Sequence, residues 1–362
     1  MTNVEEVHLP TLQALQEYNL GDRLHTVFTQ AESNDNLVFT KQDPTKIKII
    51  NDADHNMTIQ VKEVPGLGKR PMNRPTVPGT NERVTDDKVE QVKKNNPFVK
   101  PEPELTLVSD LCGSYRLILN KFPNTEHHFL MVTKQFEQQD TLLRPLELQL
   151  MRSILSKLNN HVGVDATGDP FKKDRYFAFF NSGPESGYSQ FHKHVQFMKL
   201  PADFPLYQDR VVSNADYFIP NELKSDKRPL FNKDAGFKHF ILKMPTVGKE
   251  VKDTEEERES LAILYMYLVK RVLNIFRELD VEFSKISYNF IMTDTWMMIV
   301  PRKAAHYQGV WQNSLGYMGL FGGKNEEVLK KYNDLGYIEV LKGCGFEQEE
   351  DEDKVVYNEY GY

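Results

Sequence analysis

The stretch FNSGPESGYSQFHKHVQFM, residues 180–198, decides how the chain is read. It begins at the end of an aromatic run, passes through Gly183, Pro184 and Gly187, and resumes an alternating pattern at His192, which predicts strand, tight loop, strand. Side chains two residues apart on a strand share a face, so His192, His194 and Gln196 line up while Val195 and Phe197 turn to the core. The loop before them offers small residues, free main-chain N–H groups and the hydroxyls of Ser182, Ser186 and Ser189, a combination that can wrap an anion closely.

Three chemistries fit two histidines on one strand face. Zinc needs a third ligand, and no other His, Cys or acidic cluster has the spacing for it. Two hydrogen-bonded histidines at a sheet edge are the plain structural alternative. The third is nucleophilic catalysis, in which an imidazole nitrogen attacks phosphorus and a second nucleophile resolves the phosphoramidate. That chemistry needs one ring nitrogen unprotonated and the other fixed by an acceptor, which a neighbouring main-chain carbonyl can supply.

Outward from this stretch, short apolar, β-branched and aromatic runs predict strands at 115–119, 128–133, 176–180, 194–198, 239–243, 288–292 and 297–300. Helical spacing covers 12–30, 145–158 and 254–279, the last with Leu261, Leu264, Leu268, Val272, Ile275 and Leu279 on one stripe. Strands separated by long helices predict an α+β fold with a largely antiparallel sheet and flanking helices. Residues 64–104 hold seven of the 19 prolines, which reads as a long loop: an active-site cover, a linker or an insertion. Trp296, Met297 and Met298 read as strand core rather than a base-stacking platform. The run 347–353 reads as the start of a solvated acidic tail.

The 362 residues are 40% hydrophobic, enough for one large core or two ordinary ones. A formal charge of −7 opposes indiscriminate attraction to nucleic-acid phosphates. No apolar stretch has the roughly 20 residues that a membrane span requires. With no secretory pattern at the N-terminus, the cytosol or nucleus is the expected compartment. Cys112 and Cys344 are expected to be packed thiols.

HKHVQ resembles the histidine-triad superfamily motif in the branch where glutamine replaces the third histidine, shared by galactose-1-phosphate uridylyltransferases and the fungal diadenosine tetraphosphate phosphorylases. Residues 117–139, 181–196, 237–245, 287–302 and 313–324 resemble the phosphorylase family in the expected order, from about Val61 to the C-terminus. The resemblance implies a HIT-like fold related to the uridylyltransferases, with a nucleotide-binding region at 1–225, an ATP adenylyltransferase region at 226–346 in the same globule, and the tail at 347–362.

It also implies site residues. His194 is the nucleophile, with His192 and Gln196 beside it in the catalytic motif, and Gln196 holds a phosphate oxygen. Asn120, Lys121, Asn181, Gly187, Tyr188, Ser189 and Gln190 contact nucleotide phosphates; Asn313, Ser314, Leu315, Leu320 and Lys324 bind substrate. Arg70 is the basic residue of the proline-rich loop, with Lys69 its alternative. Ser182 stands where the family has cysteine, Tyr188 where it has serine, and Phe191 where it has an acid. Of these, the bulk of Tyr188 replaces a serine side-chain contact while leaving the backbone N–H in place.

The expected activity is phosphorolysis of diadenosine tetraphosphate to ATP and ADP through an adenylyl-histidine, reversible and with exchange to sulfate, aided by Mg²⁺ held mainly by substrate oxygens. The partners are therefore these small molecules, with no nucleic acid and no membrane, and the protein is expected to be a monomer. The rival readings are a dinucleoside polyphosphate hydrolase, a nucleotide-sugar uridylyltransferase using the same histidine, and a non-catalytic nucleotide sensor.

Overall fold

The computed structural model describes residues 6–41, 43–70, 96–160, 174–216, 229–245 and 254–348. Its strands are β1 (His8–Leu9), β2 (Lys48–Asp52), β3 (Met57–Glu63), β4 (Thr106–Leu111), β5 (Tyr115–Leu119), β6 (Phe129–Thr133), β7 (Tyr176–Ser182), β8 (His194–Lys199), β9 (Phe240–Lys243), β10 (Tyr288–Met292), β11 (Trp296–Pro301), β12 (His306–Tyr307), β13 (Val310–Trp311) and β14 (Leu320–Gly323). Its α-helices are α1 (Leu12–Glu17), α2 (Leu20–Ser33), α3 (Pro145–Asn160), α4 (Tyr207–Ser213), α5 (Glu255–Glu278), α6 (Glu326–Leu335) and α7 (Tyr337–Cys344).

Nine strands form one sheet in the order β1-β4-β5-β6-β8-β7-β10-β11-β9, antiparallel except for the β1/β4 pair. The fold is the expected α+β class. Alternation along the strands gives the sheet two faces. Leu117, Met131, Val195, Phe197, Ala178, Phe180, Phe290 and Ile299 point to one side and pack under α2, α3 and α5. Phe177, Phe179, Met198, Ile291, Met298 and Val300 point to the other, where a small sheet β14-β3-β2 and helices α4, α6 and α7 build a second core. As expected, Trp296 is fully buried in that core, where its indole N–H donates to Asp209 at 2.8 Å.

Helix α5 forms where the spacing placed it, with Thr254 accepting the N–H of Glu257 and three glutamates in the first turn. Its stripe is one residue shorter than expected. Leu279 caps the helix C-terminus and is 53% exposed, because the chain has already left helical geometry there. The single helix expected over 12–30 is two helices: Tyr18 is extended, and Asn19 restarts the chain by accepting the N–H of Asp22. Of the proline-rich segment, residues 64–70 and 96–104 are described, and residues 71–95 lie outside the described set, as does the tail from 349 onward.

Candidate active site

Strand β8 sits between β6 and β7, and its alternation decides the site. Val195 and Phe197 enter the helix-covered core, as expected, and His194 and Gln196 face the opposite side. Lys193 also goes inward, where its ammonium meets Glu147 of α3 at 2.8 Å. A buried charge pair therefore pins the strand beside the histidine.

His194 is buried, and its Nδ1–H donates to the main-chain carbonyl of His192 at 2.8 Å. That bond places the proton on Nδ1 and leaves the Nε2 lone pair open. Burial pushes the ring down to about 4, against the opposing pull of the hydrogen bond to the His192 carbonyl and with the His192 ring and Arg70 charges adding to the fall, so it is neutral at physiological pH. The main chain of His194 is clamped by one amide: Gln139 accepts its N–H at 2.8 Å and donates to its carbonyl at 3.1 Å and to that of Asn181 at 3.0 Å.

His192 has both ring nitrogens engaged. Nδ1 accepts from the Asn96 amide at 2.7 Å, and Nε2–H donates to the Gln135 carbonyl at 3.0 Å, with the Thr133 hydroxyl at 2.8 Å. It shares the strand face of His194 but offers no free ring nitrogen.

A third histidine orients Gln196. His128 Nδ1 accepts the main-chain N–H of Asn124 at 3.2 Å, so its proton sits on Nε2 and is donated to Gln196 Oε1 at 3.1 Å. The NH₂ end of the Gln196 amide is thereby left to face the cavity. His128 is completely buried, and desolvation holds its ring down to about 3.

Two cavities meet here. One, of about 370 Å³, contains His194 and Gln196 together with Asn120, Lys121, Ser189 and Gln190, and has an apolar wall of Phe98, Leu105, Ile118 and Leu130. The other, of about 470 Å³, contains Gly187, Asn313, Leu315, Leu320 and Lys324, with Lys62, Lys199, Lys331, Trp311 and Tyr332. Arg70 and Ser189 line both and mark the junction. Burial lowers the Arg70 guanidinium to about 10, and it donates to the Phe122 carbonyl at 3.0 Å. Lys121 is half-exposed and paired with Glu102 at 2.5 Å.

The described ends of the proline-rich segment supply walls of both cavities, Val64 to Arg70 on one side and Pro97 to Glu102 on the other.

Besides His192, three of the expected substrate-binding residues line neither cavity. Asn181 and Ser314 are buried and bond to one another, with Ser314 Oγ donating to Asn181 Oδ1 at 2.6 Å; the Nδ2 of Asn181 has no hydrogen-bond partner among the described residues. Tyr188 turns its ring inward against Phe191, with centroids 6.2 Å apart. Gly187 adopts φ +83°, and a Cβ there would lie 2.0 Å from the Gln312 carbonyl oxygen, so the turn rests directly on the segment before Asn313. Behind it, buried Arg302 donates to the carbonyls of Ser186, Ala304, Gln312 and Cys344 and to the Asn289 side chain.

Sequence reasoning did not assign roles to His128, Gln139 or Lys62. The first two lie inside the 117–139 block already singled out, and the paired histidines at 127–128 were the available signal. Among the described residues no group of three or more His, Cys, Asp or Glu side chains is placed to hold a metal ion. No helix among them is long and apolar enough to cross a membrane. Both cysteines are free thiols, Cys344 buried and Cys112 partly so.

The family model described as the Ap4A phosphorylase N-terminal domain matches residues 13–209, and that described as the ATP adenylyltransferase C-terminal domain matches residues 233–347. Diadenosine 5',5'''-P1,P4-tetraphosphate phosphorylase 2 of Saccharomyces cerevisiae is 31% identical over 339 residues, covering 91% of this chain and 95% of that protein. Protein APA1 of the same yeast is 31% identical over 345 residues, covering 92% and 96%. Among solved structures, yeast Ap4A phosphorylase Apa2 in complex with AMP is similar at a TM-score of 0.73 and 29% identity, covering 93% of this chain and 99% of that one. The Apa2 complex with Ap4A is similar at a TM-score of 0.72 and 29% identity, covering 91% and 98%.

Proposed function

The chain belongs to the Ap4A phosphorylase family, and from that membership we propose that it is a nucleotidyltransferase that cleaves diadenosine tetraphosphate with inorganic phosphate, yielding ATP and ADP. The observation that carries the reading is the open Nε2 of His194, whose other nitrogen is committed to the His192 carbonyl.

In the first step Nε2 attacks the α-phosphorus of one adenylyl half. An N–P bond forms, the bond from phosphorus to the bridging oxygen breaks, and ATP leaves with that electron pair. The adenosine of this half occupies the smaller cavity, against Phe98, Leu105, Ile118 and Leu130, and the leaving nucleotide extends past Arg70 into the larger one. The Gln196 NH₂ group, oriented by His128, donates to a phosphoryl oxygen as charge builds. In the second step a phosphate oxygen attacks the adenylyl-imidazole from the side that ATP vacated, releasing ADP and restoring the free ring. The same path run backwards makes the reaction reversible, and sulfate fits the acceptor position by charge and shape. A divalent cation, Mg²⁺ by the chemistry of its oxygen ligands, would be held mainly by the polyphosphate, since the one carboxylate lining the cavity of His194, Glu102, is paired with Lys121.

Phosphate is favoured over water because Gln196 has no proton of tunable pKa and cannot serve as a base to activate water, whereas phosphate arrives anionic. Incubation with diadenosine tetraphosphate and labelled phosphate, followed by chromatography, should give ATP and labelled ADP with very little AMP. AMP as the main product under saturating phosphate would replace this reading with a hydrolase.

A further inference from the structure

Lys62 lies on β3, outside the large sheet, and its ammonium donates to the main-chain carbonyl of Asn124 at 2.8 Å. It lines the larger cavity and not the one that holds His194. Burial lowers its ammonium to about 8, with no carboxylate contributing to that shift. Around it, Asn124 Oδ1 and Thr125 Oγ1 are buried, line the same cavity and have no hydrogen-bond partner among the described residues. A desolvated cation with one neutral acceptor, beside the unspent Thr125 hydroxyl that can donate, is a place prepared for an anion.

The order of groups gives the anion its place. His194 lies on one side of the Arg70 and Ser189 junction and Lys62 on the other. A polyphosphate whose α-phosphorus is at His194 reaches the junction with its next phosphates and Lys62 only with those further along. We propose that Lys62 reads the length of the polyphosphate: it contacts phosphates beyond the junction and makes a four-phosphate bridge a better substrate than a three-phosphate one. This rests on the phosphorylase reading above and adds to it a specificity-determining residue.

The test compares wild type, Lys62→Gln and Lys62→Arg by kcat/KM on diadenosine tetraphosphate and triphosphate at saturating phosphate. Loss of one charge-assisted contact should lower kcat/KM for the tetraphosphate in Lys62→Gln by roughly tenfold or more. The triphosphate should lose less, so the ratio between the two contracts, while calorimetric affinity for AMP is unchanged. Lys62→Arg should restore most of the ratio. Equal losses on both substrates, or an unaltered ratio, would overturn the assignment.

The wild-type protein gives a second, independent reading. Amine acylation at pH 8, mapped by mass spectrometry, should label Lys62 less when ATP is bound and equally with or without AMP. Equal protection by the two nucleotides, or none by either, would count against it. If wild type fails to phosphorolyse diadenosine tetraphosphate at all, the functional reading fails, and the ATP footprint still decides whether Lys62 meets phosphates.

Discussion

The Nε2 atom of His239 accepts the main-chain N–H of Asn232 at 3.0 Å. At its other nitrogen this ring copies His194: each donates Nδ1–H to the carbonyl two residues earlier, at 2.9 Å to Phe237 and at 2.8 Å to His192. One main-chain N–H therefore separates a histidine with a free lone pair from one without.

A covalent adenylyl group is expected on His194 alone. Enzyme quenched with diadenosine tetraphosphate in the absence of phosphate should yield one adenylated peptide, containing 194, with His192 and His239 unmodified. His194→Ala should reduce turnover by at least about a thousandfold, since the covalent route is lost while the fold is kept. An adduct on either other ring would refute the rule that the open nitrogen selects the nucleophile.

Replacing His128 with Phe keeps an aromatic ring in a fully buried place and removes the donor that holds Gln196 Oε1. The amide can then turn its oxygen toward the phosphoryl group, which repels it. The expected result is a fall in kcat of roughly tenfold to a hundredfold, by analogy with loss of a preorganised donor, with a much smaller change in KM. A change confined to KM would show that His128 serves binding. Gln196→His tests the neighbouring position: the AMP to ADP ratio should rise as a base for water is introduced, and a constant ratio would place acceptor choice elsewhere.

Acid should weaken the fold through these same rings. His194 and His128 are held neutral, at about 4 and about 3, whereas the unfolded chain protonates them near 6.5. Between these values the unfolded state binds more protons, so stability falls as pH falls, by up to about 1.4 kcal/mol per pH unit for each ring. Urea denaturation at pH 7.5, 6.5 and 5.5 should show the decline beginning below pH 6.5. The pH slope should be smaller in His128→Phe, and an identical slope would exclude His128 as a source. On the same grounds, the adenylation step itself should not slow on account of His194 protonation until the pH approaches 4.

Period-two alternation made the site strand legible, because core packing demands that Val195 and Phe197 face inward and so sends His194 and Gln196 to the other side. The same logic exposed seven of the nine strands of the large sheet, all but β1 and β4, and the stripe of α5. What stayed hidden depends on partners distant in the chain. β14, Leu320–Gly323, has two glycines in four residues and becomes a strand only by pairing in parallel with β3. Lys62 lies on that small sheet, so no local pattern marks it. His128 reads as the start of a strand, and its role exists only once Asn124 has turned its N–H onto one nitrogen and Gln196 has met the other. The break at Tyr18 and Asn19 was missed because apolar spacing continues across it while the backbone does not.

The buried guanidinium of Arg302 bears on how such a protein can be altered. Its acceptors belong to the Ser186 turn, to Asn289 on β10, to Ala304, to Gln312 and to the end of α7 at Cys344. The turn at 182–190 is thus not a portable cassette. Grafted onto another scaffold without Arg302 and the segments it ties together, the sequence SGPESGYSQ would keep its glycines and lose its shape, and libraries that diversify the turn will be productive only where that one arginine is left in place.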